Sequence, residues 1–482
     1  MTSTRYAFQT QVEPYLWACL FGVAIGATSF ISPLIPAGAI LGAGAAVLAL
    51  SRPVVMCYAL IAAVTFLSAM PRGGFVPMLI PNEPLLIGSA GLAFFIVLLR
   101  RERVRISRFV SSALGVMVLG TAVIPVLAYY ARAFPLGIGE VLNLLAPIQY
   151  ILLMWLFARL PRSEEDRYKL IQFMLLCASV VAIIGLLQAM GVSAITNLIS
   201  VVYDSYHVRD AAEYGRVTSV LGAWNSLGNY LMLNLLIVFS LYGYEKRGKW
   251  GNLNLLATLA FSGACLLATG SFASLGGLAA GLVIIKFFDR RGIKLLFLLV
   301  IGMMVGAFLL QDLIIGRLDY QFGGSGDSLL PSPLAYRIKV WAEVYFPIIG
   351  RNPLWGLTPT FSDLGWPWAE SQYLYLLVRS GLVSLVAHLL YVIFLMTWAY
   401  RRIRQSDGLN RAMAIALFAL LAMLNIMGFT NEVFTSSGVI DYMWIMIGLF
   451  AVAPSKKESE SANETRLDVP LLPRRAATAQ EI

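Results

Sequence analysis

The sequence predicts an all-α polytopic membrane protein of about fourteen transmembrane helices, twelve at the fewest, with long non-cytoplasmic loops. Three observations predict it. First, 59% of the 482 residues are hydrophobic and only 13% are charged. Soluble domains carry about 25% charged residues, so lipid or neighbouring apolar helices must solvate most of this chain. Second, apolar stretches such as Leu295 to Leu310 and Leu382 to Leu395 run long, without the short alternation of a β-barrel. Backbone groups find no partner in hydrocarbon, so each stretch must close its own hydrogen bonds as a helix. Third, basic residues recur at every second connection, as positive-inside topology requires.

Taken in order, helices are expected near 15–30, 35–50, 54–69, 84–99, 109–127, 143–158, 170–190, 227–243, 252–268, 272–288, 293–311, 372–400, 412–427 and 438–453. Several fall short of the roughly 20 residues that span a hydrocarbon core, and the first two read as a shorter hairpin. The N-terminal MTSTRYAFQTQVEPY is too polar for the core of a signal peptide, so the apolar run after it reads as a retained helix. Cys19, Cys57, Cys177 and Cys265 all lie in apolar runs without a CxxC or Cys/His pattern, which argues against disulfides and structural zinc. Residues 1–454 thus read as one transmembrane domain with outer loops at 191–226 and 312–371. Residues 455–482 read as a disordered polar tail.

The basic clusters lie at 100–108, 159–169, 245–249, 286–294, 401–411 and after Ser455. With Arg5 and Arg52 they hold 27 of the 36 Lys and Arg residues, which places that face and both termini in the cytoplasm. The net charge of +10 is therefore a topological bias and calls for no nucleic acid. Asn463-Glu-Thr matches a glycosylation sequon but lies on the wrong side.

Nine basic residues defy the bias: Arg72, Arg132, Arg209, Arg216, Arg317, Arg337, Lys339, Arg351 and Arg379. Seven of them fall in 191–226 and 312–380. Long connections rich in aromatics and Gly/Pro turns are ordered and functional more often than linkers are. Within the second, Ala335 to Phe346 is expected to form a short interfacial helix with Ile338, Trp341 and Tyr345 on one face, stopped by Pro347. It would hold Arg337 near lipid headgroup level. An anionic lipid with its headgroup at the outer surface suits this layout, because arginine grips phosphate bidentately and keeps its charge when partly desolvated. The plainer alternative is that these arginines touch only phospholipid headgroups or acidic loop partners.

Three segments resemble the O-antigen ligase and polymerase superfamily of bacterial envelope glycosyltransferases. Gly215-Arg-Val-Thr-Ser-Val-Leu-Gly-Ala-Trp-Asn-Ser-Leu-Gly-Asn-Tyr is similar to the family's outer segment leading into a helix, with Arg216 and Asn225 on family positions. Arg337-Ile-Lys-Val-Trp followed by Pro347-Ile-Ile-Gly-Arg-Asn-Pro-Leu-Trp-Gly looks like its R-x-x-x-W … N-P-x-x-G loop. Ala369-Glu-Ser-Gln-Tyr-Leu-Tyr-Leu-Leu-Val-Arg-Ser-Gly-Leu resembles the motif that closes that loop. The resemblance spans roughly residues 210–400. It also has departures. Glu370 stands where the family's ligases typically carry histidine, a pattern closer to the polymerases. Ser271-Phe272 lacks the arginine of the family's S-R pair, so Arg379 or Lys339 is the substitute cation, and Thr358 replaces a glycine.

The resemblance implies a GT-C-like fold in the bacterial inner membrane and a polysaccharide polymerase. Such an enzyme transfers glycan from an undecaprenyl diphosphate carrier onto a lipid-linked acceptor at the periplasmic face, with no cofactor or metal. Its partners would be the lipid-linked oligosaccharide donor and acceptor, membrane lipids and a chain-length regulator protein. Arg216 and Arg337 suit the developing diphosphate, and Glu370 is the leading base for the acceptor hydroxyl. Glu370 would otherwise only cap the helix that follows it. Asp363, His207 and Asp210 are the other base candidates. Arg379, Lys339, Arg351, Asn225, Trp341 and Tyr373 are expected to bind substrate, and His388, inside an apolar run, reads as structural. Two other functions fit many helices with polar outer residues: a ligase delivering finished glycan to a lipid or protein, and a transporter of lipid-linked glycan or small anions. A transporter would show ionisable residues near the bilayer midplane or paired broken helices.

Overall fold

The computed structural model describes residues 51–71, 82–100, 106–132, 141, 144, 146–203, 208, 215–242, 244, 248–290, 293–309, 311, 315–316, 332–357, 369–435 and 438–452. Among these residues no strand forms, and the only β-type contact is an isolated bridge between Ile106 and Val452. The helices are α1 (Val54–Leu67), α2 (Asn82–Arg100), α3 (Arg108–Ala131), α4 (Ala146–Arg159), α5 (Glu164–Ala189), α6 (Ser193–Val202), α7 (Trp224–Leu241), α8 (Lys249–Ala268), α9 (Phe272–Phe288) and α10 (Ile293–Leu309). Three consecutive segments, Ser332–Val340, Trp341–Tyr345 and Phe346–Arg351, make α11; α12 (Gln372–Gln405), α13 (Gly408–Met427) and α14 (Val439–Phe450) complete the order.

Each helix expected from 54–69 onward meets one of these elements, while those at 15–30 and 35–50 lie outside the described residues. The number of spans does not carry over in the same way. Among the described residues five helices, α3, α5, α8, α12 and α13, are long and apolar enough to cross a membrane. By contrast α1, α4 and α14 have 14, 14 and 12 residues, short of the roughly 20 a span requires. An apolar run in sequence measures burial, and burial against other helices needs no particular length.

The centre of the bundle is α7, whose residues from Leu227 to Leu241 are all buried. It packs against α5, α8, α9, α13 and α14. A helix buried on every side belongs inside a larger assembly. The periphery is apolar as well: Phe297, Ile301, Met304, Val305 and Phe308 on α10 and Ile393 on α12 are exposed. Such a surface is stable only against lipid or another protein.

Basic side chains gather at one end of the bundle. Arg402 donates to the carbonyls of Phe450, at 3.1 Å, and Val452, and Arg411 donates to that of Phe288 at 3.1 Å. These carbonyls close α14 and α9, where unpaired C=O groups and the negative end of the helix dipole favour cations. Ser163 begins α5 at this same end with a reciprocal capping box to Asp166.

Two prolines fall within continuous helices, against the expectation that Pro347 stops the interfacial one. In α3 and α11 a π-turn precedes the proline: the Ile124 amide donates to Leu119, and that of Phe346 to Trp341, each five residues back. The widened turn makes room for the rings of Pro125 and Pro347, which would clash with the carbonyl four residues back in a regular helix. It also rotates the face. Tyr345 is fully buried and Trp341 partly so, but Ile338 is exposed and leaves the expected stripe.

The other irregularity is inside α12, where Gly381 has φ 70° and ψ −167°. The break releases backbone groups that the 353–357 loop takes up. Leu382 donates to Pro353 O at 2.8 Å, Val383 to Leu354 O at 3.4 Å, and Leu357 donates to Val378 O at 2.8 Å. Gly356 lies against the backbone of Arg379 and Ser380, and Arg132, at the end of α3, donates to its carbonyl at 2.8 Å. The N-P-x-x-G and R-S-G stretches are therefore one structural unit.

Candidate functional site

At the end opposite the basic one, the chain leading into α12 is held from two sides. From α11, the Trp341 indole donates to Ala369 O at 2.9 Å and the Arg337 guanidinium, through Nε, pairs with Oε2 of Glu370. From the turn between α13 and α14, Oε1 of Glu432 accepts the amides of Ala369 (2.8 Å) and Glu370 (3.1 Å). The same turn accepts the Gln372 amide at Gly428 O (2.8 Å) and Asn431 O (3.2 Å), while the Phe434 amide donates to Oε1 of Gln372 at 3.1 Å. Glu370 itself is left-handed, with φ 48°. A non-glycine residue keeps that conformation only where its surroundings over-determine it, as at binding sites.

The first motif reaches this place through the same turn. Asn225, in the first turn of α7, donates to Oδ1 of Asn431 at 3.3 Å and accepts from the Ser271 hydroxyl at 3.4 Å. Ser271 pairs with Ser274 at 2.9 Å, and Ser274 donates to Asn229 at 2.9 Å, so a polar ladder descends between α7 and α9. Arg216 sits beside it, its guanidinium 4.4 Å above the Trp224 ring. Its loop is braced by Gln188, whose side-chain oxygen accepts the amides of Thr218 (3.1 Å) and Ser219 (2.9 Å).

The structure thus brings together Arg337, Trp341 and Glu370 directly, and Asn225 through Asn431. The Arg337 and Glu370 side chains are 24% and 37% exposed, so the ion pair faces an opening rather than the core. Lys339 and Arg351 lie exposed on α11. Tyr373 has its hydroxyl committed to Asn425 O at 2.6 Å and its ring against Phe429. His388 is buried edge-on among Tyr373, Tyr391 and Phe434, consistent with a structural role. Arg379, two turns deeper, donates to the Tyr375 hydroxyl at 2.5 Å, and its Nε and Nη2 are buried without a hydrogen-bond partner among the described residues. His207, Asp210 and Asp363 lie outside the described residues.

Glu370 does not cap α12: the helix begins at Ser371, without a side-chain cap bond. Its contact is the Arg337 guanidinium. A base working at neutral pH is served by a carboxyl held above its usual range. That property appears on a residue absent from the sequence expectations. Burial pushes the Glu432 carboxyl up to about 7, against the pull of the Ala369 and Glu370 amides and with a further push from the Glu370 charge. Neither Glu432 nor Asn431 stands in a motif-like pattern; the signal available was two polar residues, one of them acidic, in a short turn between apolar runs. No family model matches the chain, and no curated protein matches it, so the resemblance rests on its three motifs.

Proposed function

We propose that this protein is a GT-C-like glycosyltransferase of the bacterial inner membrane that polymerises polysaccharide. It would transfer glycan from an undecaprenyl diphosphate carrier onto a lipid-linked acceptor at the periplasmic face. The observation that carries the reading is the convergence of the three motifs: Arg337, Glu370 and Asn225, distant in sequence, meet around the 428–435 turn at the end away from the basic clusters. Arg337 stands half-buried at that end, and only its Nε is used by Glu370, so a diphosphate can engage the guanidinium. The acceptor hydroxyl attacks the anomeric carbon, the bond to the carrier phosphate breaks, and the electron pair leaves with the diphosphate, where arginine stabilises it. Arg216 and Arg379 are the further cations for this lipid headgroup.

A transporter is less well supported. Its broken helix would leave backbone groups for substrate or ions, whereas the freed groups at Gly381 are bonded to the 353–357 loop.

The test is incubation of purified protein in bilayers with lipid-linked oligosaccharide extracted from native membranes. A ladder of lipid-linked products of increasing length is expected. Transfer that requires a separate lipid or protein acceptor would replace the polymerase with a ligase, and absence of transfer would refute both.

Topology provides a second test, for which single cysteines at Ser163 and Ser325 are suited. Cys57, Cys177 and Cys265 are buried and do not interfere, and Cys19 is replaced by serine. Ser163→Cys should react with an impermeant thiol reagent only from the cytoplasm, and Ser325→Cys only from outside. Labelling of Ser325→Cys from the cytoplasm overturns the orientation.

A further inference from the structure

We propose that the basic end of the bundle carries a binding site for a phosphate group, that of an anionic phospholipid in the leaflet at this end. The inference is independent of glycosyl transfer. It stands on a cavity of about 380 Å³ where α4 passes into α5, lined by Arg159, Arg162 and Arg167 beside the apolar Phe157, Leu449 and Val452. Among the described residues that lining holds three arginines and no carboxylate. The three acidic residues that open α5 have contacts of their own. Asp166 Oδ2 accepts the amides of Arg162 (3.4 Å) and Ser163 (3.2 Å), Glu165 pairs with Lys169 at 2.7 Å, and Glu164 accepts from the Tyr244 hydroxyl at 2.8 Å. A fourth guanidinium borders the cavity: Arg402, part-buried, donates to the carbonyl of Val452, which is in the wall.

Helix lengths place this cavity at headgroup depth. The helices α4 and α14, with 14 and 12 residues, end beside it at Arg159 and Phe450. At 1.5 Å per residue they are roughly 21 and 18 Å long, less than the roughly 30 Å of a hydrocarbon core. By contrast α5 and α12 have 26 and 34 residues. Short helices among long ones leave a recess into which the bilayer thins. Trp155, partly buried one turn before Arg159 and with its ring 5.1 Å from that guanidinium, is of the residue type that settles at the membrane interface. The apolar wall then meets the acyl chains and the arginines meet the phosphate. Arginine suits this better than lysine, because its planar fork matches two phosphate oxygens and its five donors can hold a carbonyl and a phosphate together. Arg167 makes such a backbone contact, with Nη1 3.5 Å from Leu449 O. Basic pockets between helices on the cytoplasmic side are where anionic headgroups bind.

The experiment is lipid retention by the full-length protein, delipidated in detergent, titrated with phosphatidylglycerol or phosphatidylcholine and read by native mass spectrometry, with inorganic phosphate as competitor. Phosphatidylglycerol should bind at least roughly tenfold more tightly than phosphatidylcholine, whose phosphate is neutralised by its own cation. Arg162 is exposed, so Arg162→Gln should elute as a single species like the wild type. It should weaken phosphatidylglycerol at least roughly tenfold through the loss of one charge-assisted bond, and Arg162→Lys should recover part of that loss. Lys249→Gln removes an equal charge from an exposed position in another basic cluster and should leave binding unchanged. Equal binding of the two lipids, or equal losses in Arg162→Gln and Lys249→Gln, overturns the site in favour of a diffuse basic surface. Inorganic phosphate that displaces the lipid at comparable concentration overturns the lipid as the source of the phosphate.

Discussion

Arg337→Ala is expected to lower chain extension at least roughly tenfold, because a charge-assisted hydrogen bond is worth about 1.5–3 kcal/mol and each 1.36 kcal/mol is tenfold in rate. The substitution removes the cation proposed to meet the diphosphate and leaves Glu370 without its ion pair. Lysine should rescue only partly, since an ammonium cannot make the bidentate fork. Glu370→Gln separates the two consequences: if Glu370 acts by holding Arg337, adding it to Arg337→Ala costs little more, and the two losses are strongly non-additive. Arg216→Ala should also lose at least roughly tenfold, without coupling to Glu370. Normal glycan length and yield in both alanine variants would refute the assignment of these cations.

Gly381→Ala should damage the protein more broadly. At φ 70° and ψ −167° the backbone is in a region essentially reserved for glycine, and a Cβ there would stand 2.2 Å from Leu354 O and 2.4 Å from Trp355 N. These are backbone atoms and cannot swing aside. Either α12 straightens and expels the 353–357 loop or the chain fails to assemble. A left-handed alanine alone costs on the order of 1–3 kcal/mol, and the lost loop contacts add to it. The expected result is a large fall in detergent-extracted monodisperse protein, and in whatever survives, a drop in melting temperature with rapid amide exchange across 353–357. A Gly381→Ala protein as stable as wild type would show that the loop is not locked into the helix.

The sequence by itself determined the solvent, the helical class and the places where polar chemistry collects. Those follow from composition and from the cost of unpaired backbone in hydrocarbon, which act locally on every stretch. The break in α12 falls at Arg379-Ser-Gly381, a polar interruption of an apolar run. Only the tertiary structure decided which of the described helices have the length to span a membrane, because α1, α4 and α14 stop at 14, 14 and 12 residues although their runs are apolar. It alone decided that α11 continues through Pro347, since a π-turn cannot be read from residue spacing. The assignment of the carboxyl groups was also out of reach. Glu370 and Glu432 are both glutamates near helix ends, 62 residues apart. Which one meets an arginine and which is buried against backbone amides depends on where α13 and α14 turn, and a pKa follows surroundings rather than residue type.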